Sequence, residues 1–218
     1  MSIALWFCPQ PGSSSYELLK QLISSMQTLF PSSIIFEPHI TITTHLTCEN
    51  KDDVNKILTS CVAAIRSIEK QLRDPRNPPL VSFSSCSIKK QYFQKVILNC
   101  KANKYLLGLE KIMTEMYGTK KLADGEVVKF EPHVSLLYSD VTPVSQAYVR
   151  MIEQRIEDTL DLSLLKVTNK DLLTSDTQTK WEFSKESSLG WNIPGTFKVV
   201  KCEGPVYDWE VLGRTDIL

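Results

Sequence analysis

The chain has 218 residues, which is enough to bury a sizeable core in one large domain or in two closely packed lobes. Its 25 Lys and Arg residues balance its 25 Asp and Glu residues, so no basic excess indicates a long nucleic-acid footprint. We therefore expect a small or end-bound substrate and no stable nucleic-acid complex.

The six cysteines show no Cys-x-x-Cys spacing, and no secretory leader precedes them. This usage is typical of reduced, mostly buried thiols inside the cell. No apolar run is long enough to cross a bilayer. These features predict an intracellular, cytoplasmic protein without a transmembrane segment, and they leave peripheral membrane association open.

The first third of the chain is predicted to form a strand, a helix, a second strand and a second helix. The first strand covers residues 2–8, and a helix with one apolar stripe covers about 16–30 before Pro31 stops it. After the second strand, a helix begins near Asp52 and keeps its apolar period to about residue 72. A proline-rich surface loop follows at 73–79.

The same order of elements is predicted again in the middle of the chain. Strands at 80–88 and 92–100 precede a helix that Gly118 closes, and a basic, glycine-containing loop covers 119–126. A further helix covers about 143–160, with a proline near its first turn. Four more strands are predicted, at 163–168, 179–183, 196–203 and 207–212.

One short motif occurs twice, at residues 36–42 (FEPHITI) and 130–136 (FEPHVSL). The first four letters are identical, and the last three are replaced by their nearest chemical equivalents. The two histidines lie 133 − 39 = 94 residues apart. An internal duplication explains this match better than chance does.

Each copy of the motif predicts a histidine and a hydroxyl on one face of a strand. Proline releases the chain into an extended segment, in which residues i and i+2 point the same way. His39 therefore shares a face with Thr41, and His133 shares one with Ser135. The residues between them are apolar and face a core.

Two such pairs facing each other across a cleft are suited to attack at phosphorus. One neutral imidazole removes a proton from water, and the other, protonated, delivers a proton to the leaving oxygen. The two hydroxyls donate to non-bridging phosphate oxygens. A single His-x-Thr motif would more simply be a surface or core histidine, but the duplication reverses that preference.

The repeated order of elements predicts an α+β fold. We expect two antiparallel-rich sheets with outer helices, related by a pseudo-twofold axis, with a central cleft between the motif strands. The whole chain, 1–218, would then form a single bilobal catalytic domain.

Two proline-introduced His-x-[Thr/Ser] motifs, half a chain apart, closely resemble the signature of the two-histidine (2H) phosphoesterases. Residues 3–9 (IALWFCP) and 132–138 (PHVSLLY) are similar to the plant and fungal cyclic phosphodiesterases within that superfamily. The resemblance covers nearly the whole chain. It implies the bilobal fold described above and a hydrolase that needs no metal or other cofactor.

The resemblance also implies a substrate class and an order of roles. The expected reaction converts nucleoside 2′,3′-cyclic phosphates to 2′-phosphates, and ADP-ribose 1″,2″-cyclic phosphate, a by-product of tRNA splicing, to ADP-ribose 1″-phosphate. By the same resemblance His133 activates water and His39 protonates the leaving oxygen. We expect a monomer that acts on small molecules.

Other residues are weaker candidates. Trp6 and Tyr138 are predicted to contact base or sugar, although core or rim packing explains them equally well. Glu37 and Glu131 are possible metal ligands, but each precedes a proline in a turn. The third histidine, His45, is predicted at the rim, about 20 Å from His39 along the strand. Three lysines near the second motif are possible phosphate attractors, although a solvated face explains them better: Lys120, Lys121 and Lys129.

Three other functions stay open at this point. A relative that acts on RNA ends or on 2′–5′ linkages, as phosphodiesterase or ligase, would need a basic approach surface. A non-catalytic nucleotide-binding module would keep one motif and lose the other, whereas both are intact here. A structural protein would bind no cyclic phosphate.

Overall fold

The computed structural model describes residues 2–119, 130–169 and 173–218. The helices in these ranges are α1 (Ser14–Leu29), α2 (Lys51–Ser67), α3 (Glu69–Arg73), α4 (Lys104–Tyr117) and α5 (Gln146–Leu160). The strands are β1 (Ser2–Pro9), β2 (Ile40–Thr43), β3 (Val81–Lys89), β4 (Val96–Cys100), β5 (His133–Leu137), β6 (Leu164–Lys166), β7 (Thr177–Phe183), β8 (Gly190–Trp191), β9 (Gly195–Cys202) and β10 (Glu210–Ile217). Among the described helices, none combines the length and the apolar character that a bilayer crossing needs.

The predicted α+β class is confirmed, and all strand pairings are antiparallel. The strands follow the order β10-β9-β1-β2-β5-β4-β3-β7-β6, with β8 paired to β3. The two predicted sheets are thus halves of one continuous sheet. The motif strands β2 and β5 join the halves by pairing directly, with Ile40 opposite Val134. The predicted boundary between two sheets is therefore this β2–β5 pairing inside one sheet, which we call the seam.

The arrangement on the two sides of this seam is closely matched. On one side β2 is followed outward by β1, β9 and β10, and on the other β5 is followed by β4, β3 and β7. The connection β1-α1-β2 corresponds to β4-α4-β5. The helices cross the seam, because α1 packs on β5 and α4 packs on β2.

The helices cover one face of the sheet and leave the other for the candidate site. The apolar motif residues Ile40, Ile42, Val134 and Leu136 are essentially inaccessible to solvent in the main core beneath the helices. Ala4, Trp6, Cys8 and Val200 form a separate small cluster on the opposite face. The alternation predicted from the motif therefore separates a core face from a site face.

Helix caps explain several differences from the predicted boundaries. The α1 N-cap is Ser13, whose hydroxyl accepts from the Tyr16 amide, so the helix begins two residues earlier than predicted. Ser145 caps α5 in the same way, which places Pro143 before the helix. The helix predicted to reach residue 72 is interrupted at Ile68, where α2 ends and α3 begins.

Some irregular segments were wrongly predicted as strands. Residues Tyr92–Gln94 form a short 3₁₀ helix before β4, and Val206–Asp208 form another before β10. The two-residue strand β8 was not predicted. Most of the predicted 119–126 loop, together with Lys120, Lys121 and Lys129, lies outside the described residues. All six cysteines are free thiols, and three of them are buried.

Candidate active site

The structure brings the two predicted histidines and the two predicted hydroxyls together at the seam. Ile40 and Val134 are partners in an antiparallel pair, so the next residues along each strand also oppose each other. Extending this register by one residue in each direction places His39 across from Ser135 and Thr41 across from His133. Because directly opposed residues share a face, these four side chains occupy one patch on the site face. His39 and Ser135 are buried there, at 6% and 7% exposure.

Each histidine is held by a carbonyl two residues before it. The ring Nδ1 of His39 lies 2.7 Å from the Glu37 carbonyl oxygen, and Nδ1 of His133 lies 2.8 Å from the Glu131 carbonyl oxygen. A carbonyl only accepts hydrogen bonds, so Nδ1 carries the proton in both rings. In the neutral ring the lone pair is then on Nε2, the atom available for proton transfer.

Burial favours the neutral form of both imidazoles. Desolvation lowers the pKa of His39 to about 4, against the carbonyl hydrogen bond that raises it. Repulsion from His133, when that ring is protonated, and from the Lys198 ammonium lowers it further. The pKa of His133 is lowered as well, mainly by desolvation and then by the charge of Lys89. Neither ring carries a positive charge near pH 7 before substrate binds.

The buried His39 predicts an acid-sensitive fold. Its pKa is about 4 in the folded protein and near 6.5 when unfolded. Between these values the unfolded chain binds more protons at this residue, so its contribution is complete above pH 6.5 and falls as pH drops toward 4. We expect wild type to lose about 2 kcal/mol more than His39→Gln in urea unfolding between pH 7 and pH 4.5. Parallel pH profiles of the two proteins would show that folding does not lower the pKa of His39.

Trp6 and Tyr138 form walls of the site instead of open stacking surfaces. The Trp6 ring stacks on the His39 ring at 3.7 Å between centroids, and Trp6 is 7% exposed. Tyr138 is 3% exposed and stacks on Phe36 at 3.8 Å. One face of each ring is therefore covered by protein. Their contact with base or sugar stays a prediction.

Two further aromatic residues at the mouth of the site were not predicted. Phe93 follows β3, Trp209 precedes β10, and their ring centroids are 5.5 Å apart. They come from opposite sides of the seam. The Ser135 hydroxyl donates to the Phe93 carbonyl at 2.7 Å, so its proton is engaged by a main-chain acceptor. Both aromatics lie in irregular connections that sequence periodicity does not place.

The motif glutamates contact lysines. The Lys198 ammonium lies 2.5 and 2.8 Å from the two Glu37 carboxylate oxygens. On the other side of the seam the Lys89 ammonium lies 3.7 Å from a Glu131 carboxylate oxygen and 3.8 Å from one of Asp176. The described residues contain no group of three or more His, Cys, Asp and Glu side chains arranged to hold a metal. The glutamates considered as metal ligands are thus engaged in ion pairs.

Comparison with known proteins matches the chain along its whole length. The profile of the family described as "Cyclic phosphodiesterase-like protein" matches residues 1–217. A protein of Saccharomyces cerevisiae named 2′,3′-cyclic-nucleotide 3′-phosphodiesterase is 52% identical over 239 residues, covering all of both chains. Proteins of the same name from Kluyveromyces lactis and Eremothecium gossypii are 42% and 40% identical, covering all of this chain and at least 99% of their own.

Proposed function

Because the chain belongs to the cyclic phosphodiesterase-like protein family, we propose that it hydrolyses nucleoside 2′,3′-cyclic phosphates to nucleoside 2′-phosphates. The observation that carries this proposal is the pairing of the two motif strands, with Ile40 opposite Val134. It gathers two imidazoles and two hydroxyls into one patch. Both imidazoles have Nδ1 engaged with a carbonyl, which leaves Nε2 for proton transfer.

The proposed reaction needs one histidine on each side of phosphorus. A water molecule attacks phosphorus while one Nε2 accepts its proton, and the bond from phosphorus to the 3′ oxygen breaks. The other histidine, protonated, gives its proton to that oxygen, which leaves a 3′ hydroxyl and a 2′-phosphate. Attack and departure in line require base and acid on opposite sides of phosphorus, as two imidazoles related by a pseudo-twofold axis would be. Thr41 and Ser135 donate to the non-bridging oxygens.

The roles implied by family resemblance require a change at His39 when substrate binds. As the acid, His39 must be protonated, whereas burial lowers its pKa to about 4. A phosphate anion beside the ring favours the charged form and raises that pKa. We therefore propose that substrate binding itself protonates His39, while His133 stays neutral and activates water.

A substrate with an activated leaving group tests this assignment. Such a leaving group needs little proton donation, so it is expected to rescue His39→Ala markedly and His133→Ala hardly at all. Nitrogen-15 NMR of the complex with nucleoside 2′-phosphate should show His39 doubly protonated. The reverse pattern of rescue and protonation would exchange the two roles.

The function itself is tested by a phosphorus NMR time course. We expect 2′,3′-cyclic AMP to be converted to the 2′-phosphate at the same rate with and without a chelator, since we propose a metal-independent reaction. Release of the 3′-phosphate would contradict the proposed bond cleavage. A rate that falls with chelator and returns with a divalent cation would contradict metal independence.

We extend the proposal to ADP-ribose 1″,2″-cyclic phosphate as the substrate in the metabolism of tRNA-splicing by-products. Support comes from the resemblance and from the balanced charge, 25 basic against 25 acidic residues, which favours a small substrate over a long nucleic acid. Competition between this compound, 2′,3′-cyclic AMP and an oligonucleotide with a cyclic phosphate end ranks the candidates. Preference for the oligonucleotide would favour an enzyme of RNA ends.

A further inference from the structure

Each motif histidine is connected to a lysine on the third strand of its own side of the sheet. Counting outward from the seam, that strand is β9 on one side and β3 on the other. Lys198 lies on β9 and Lys89 on β3, and each lysine side chain is 11% exposed. Nothing in the sequence around these two lysines repeats, so the match appears only in the folded chain.

The connection runs through the glutamate that precedes the motif proline. The Glu37 carbonyl holds Nδ1 of His39 at 2.7 Å, while the Glu37 carboxylate contacts the Lys198 ammonium at 2.5 and 2.8 Å. The second motif repeats the arrangement with longer ionic contacts: 2.8 Å from the Glu131 carbonyl to His133, and 3.7 Å from the Glu131 carboxylate to Lys89. The glutamate is thus held at its main chain and at its side chain.

We infer that Lys198 and Lys89 are positioning residues, which anchor the glutamates whose carbonyls orient the two motif histidines. The inference rests on the proposed function, because orientation of the histidines matters for turnover only if they transfer protons. A ring whose Nδ1 partner can move loses both its preferred tautomer and its direction toward the substrate.

The charges argue against direct phosphate binding by these lysines. Lys198 contacts both Glu37 carboxylate oxygens, and Lys89 lies between the carboxylates of Glu131 and Asp176. Neither lysine offers an excess positive charge, because at least one carboxylate balances each of them. A lysine that moved to a phosphate would leave a carboxylate unpaired near the site. A partly buried ion pair contributes little net stability, so orientation of the histidine is the better account of this arrangement.

The test compares Lys198→Met with Lys198→Arg and with a control on the same strand. Lys201 forms an ion pair with Glu203 at 2.8 Å on the surface, so Lys201→Met removes a charge of the same kind away from the site. With 2′,3′-cyclic AMP we expect Lys198→Met to lower kcat about 10- to 100-fold, the range found when the outer partner of a metal-bound histidine is lost. KM should change little, Lys198→Arg should restore most of kcat, and Lys201→Met should match wild type.

Proton NMR of the His39 Nδ1–H gives a readout that does not depend on turnover. We expect this resonance to shift or broaden in Lys198→Met and to be unchanged in Lys201→Met. Lys89→Met should have the smaller effect on kcat, because its contact with Glu131 is longer and shared with Asp176. A double-mutant cycle of Lys198→Met with Glu37→Gln should give non-additive losses, since the two residues act as one unit.

The inference is overturned if Lys198→Met keeps the kcat of Lys201→Met, or if kcat falls while the His39 resonance stays unchanged. It is also overturned if Lys198→Arg is as impaired as Lys198→Met. Failure of wild type to hydrolyse any cyclic phosphate would refute the proposed function instead. The NMR comparison would still decide in that case whether Lys198 orients His39.

Discussion

Replacement of either motif histidine is expected to lower kcat/KM for 2′,3′-cyclic AMP by ~10²–10⁴-fold, the usual contribution of a general acid or base. The expected loss is similar for His39 and His133 because each is required on one side of phosphorus. Steady-state kinetics of His39→Ala, His133→Ala and the double variant measure it. We expect the double variant to be little worse than the single ones, since residues that act as a unit give non-additive losses.

Two controls separate catalysis from folding in this experiment. His39 stacks on Trp6 and is 6% exposed, so the alanine variant leaves a small gap that His39→Gln largely fills. The exposed third histidine, His45, has φ 57°, a conformation that asparagine tolerates. His45→Asn should keep full activity. Near-normal turnover in either motif variant, with an intact fold, would refute the proton-transfer mechanism.

Loss of a motif hydroxyl is expected to have the second largest effect. A donor to a phosphate oxygen acts on charge that develops in the transition state, and its removal costs up to about 3 kcal/mol, or ~10²-fold in kcat. Thr41→Val and Ser135→Ala test this in single-turnover assays. Ser135→Ala also removes the hydrogen bond to the Phe93 carbonyl, so substrate affinity is expected to change in this variant as well.

A threonine two residues further along provides the matched control for Thr41. Between Leu5 and Trp6 the pairing of β1 with β2 shifts by one residue, so Thr43 lies opposite the core residue Leu5. Its hydroxyl contacts that of Thr114 on α4 at 2.8 Å. Thr43→Val therefore removes a hydroxyl on the core side of the same strand, and kcat should stay unchanged. Full activity of the Thr41→Val/Ser135→Ala double variant would show that the hydroxyls only fill the strand face.

The parts of the site that could be predicted are those encoded locally. Proline followed by alternating residues places His39 beside Thr41 and His133 beside Ser135 within one strand each, and the repeat links the two. Lys198 could not be predicted as a partner of Glu37, because it lies two strands away and 161 residues later in the chain. Contacts of this kind depend on strand order, which a single sequence does not specify.

The same distinction applies to the fold. The alternation of helices and strands is a local property, and the predicted order of elements occurs on both sides of the seam. Whether two half-sheets stay apart or join depends on one short pairing, Ile40 with Val134, which no local pattern encodes. The interruption at Ile68 is likewise not encoded in the apolar stripe, which continues through that residue.

The crossing of α1 onto β5 and of α4 onto β2 constrains how the two repeats can diverge in evolution. Each motif strand rests on a helix that the other repeat supplies. A substitution in the apolar face of α1 therefore disturbs first the packing beneath His133, and a substitution in α4 disturbs first the packing beneath His39. Loops and outer strands can accumulate substitutions independently in the two repeats. Residues on the two sides of a helix-to-strand contact have to change together. Neither repeat can be exchanged for a foreign copy without disturbing the support of the histidine that remains.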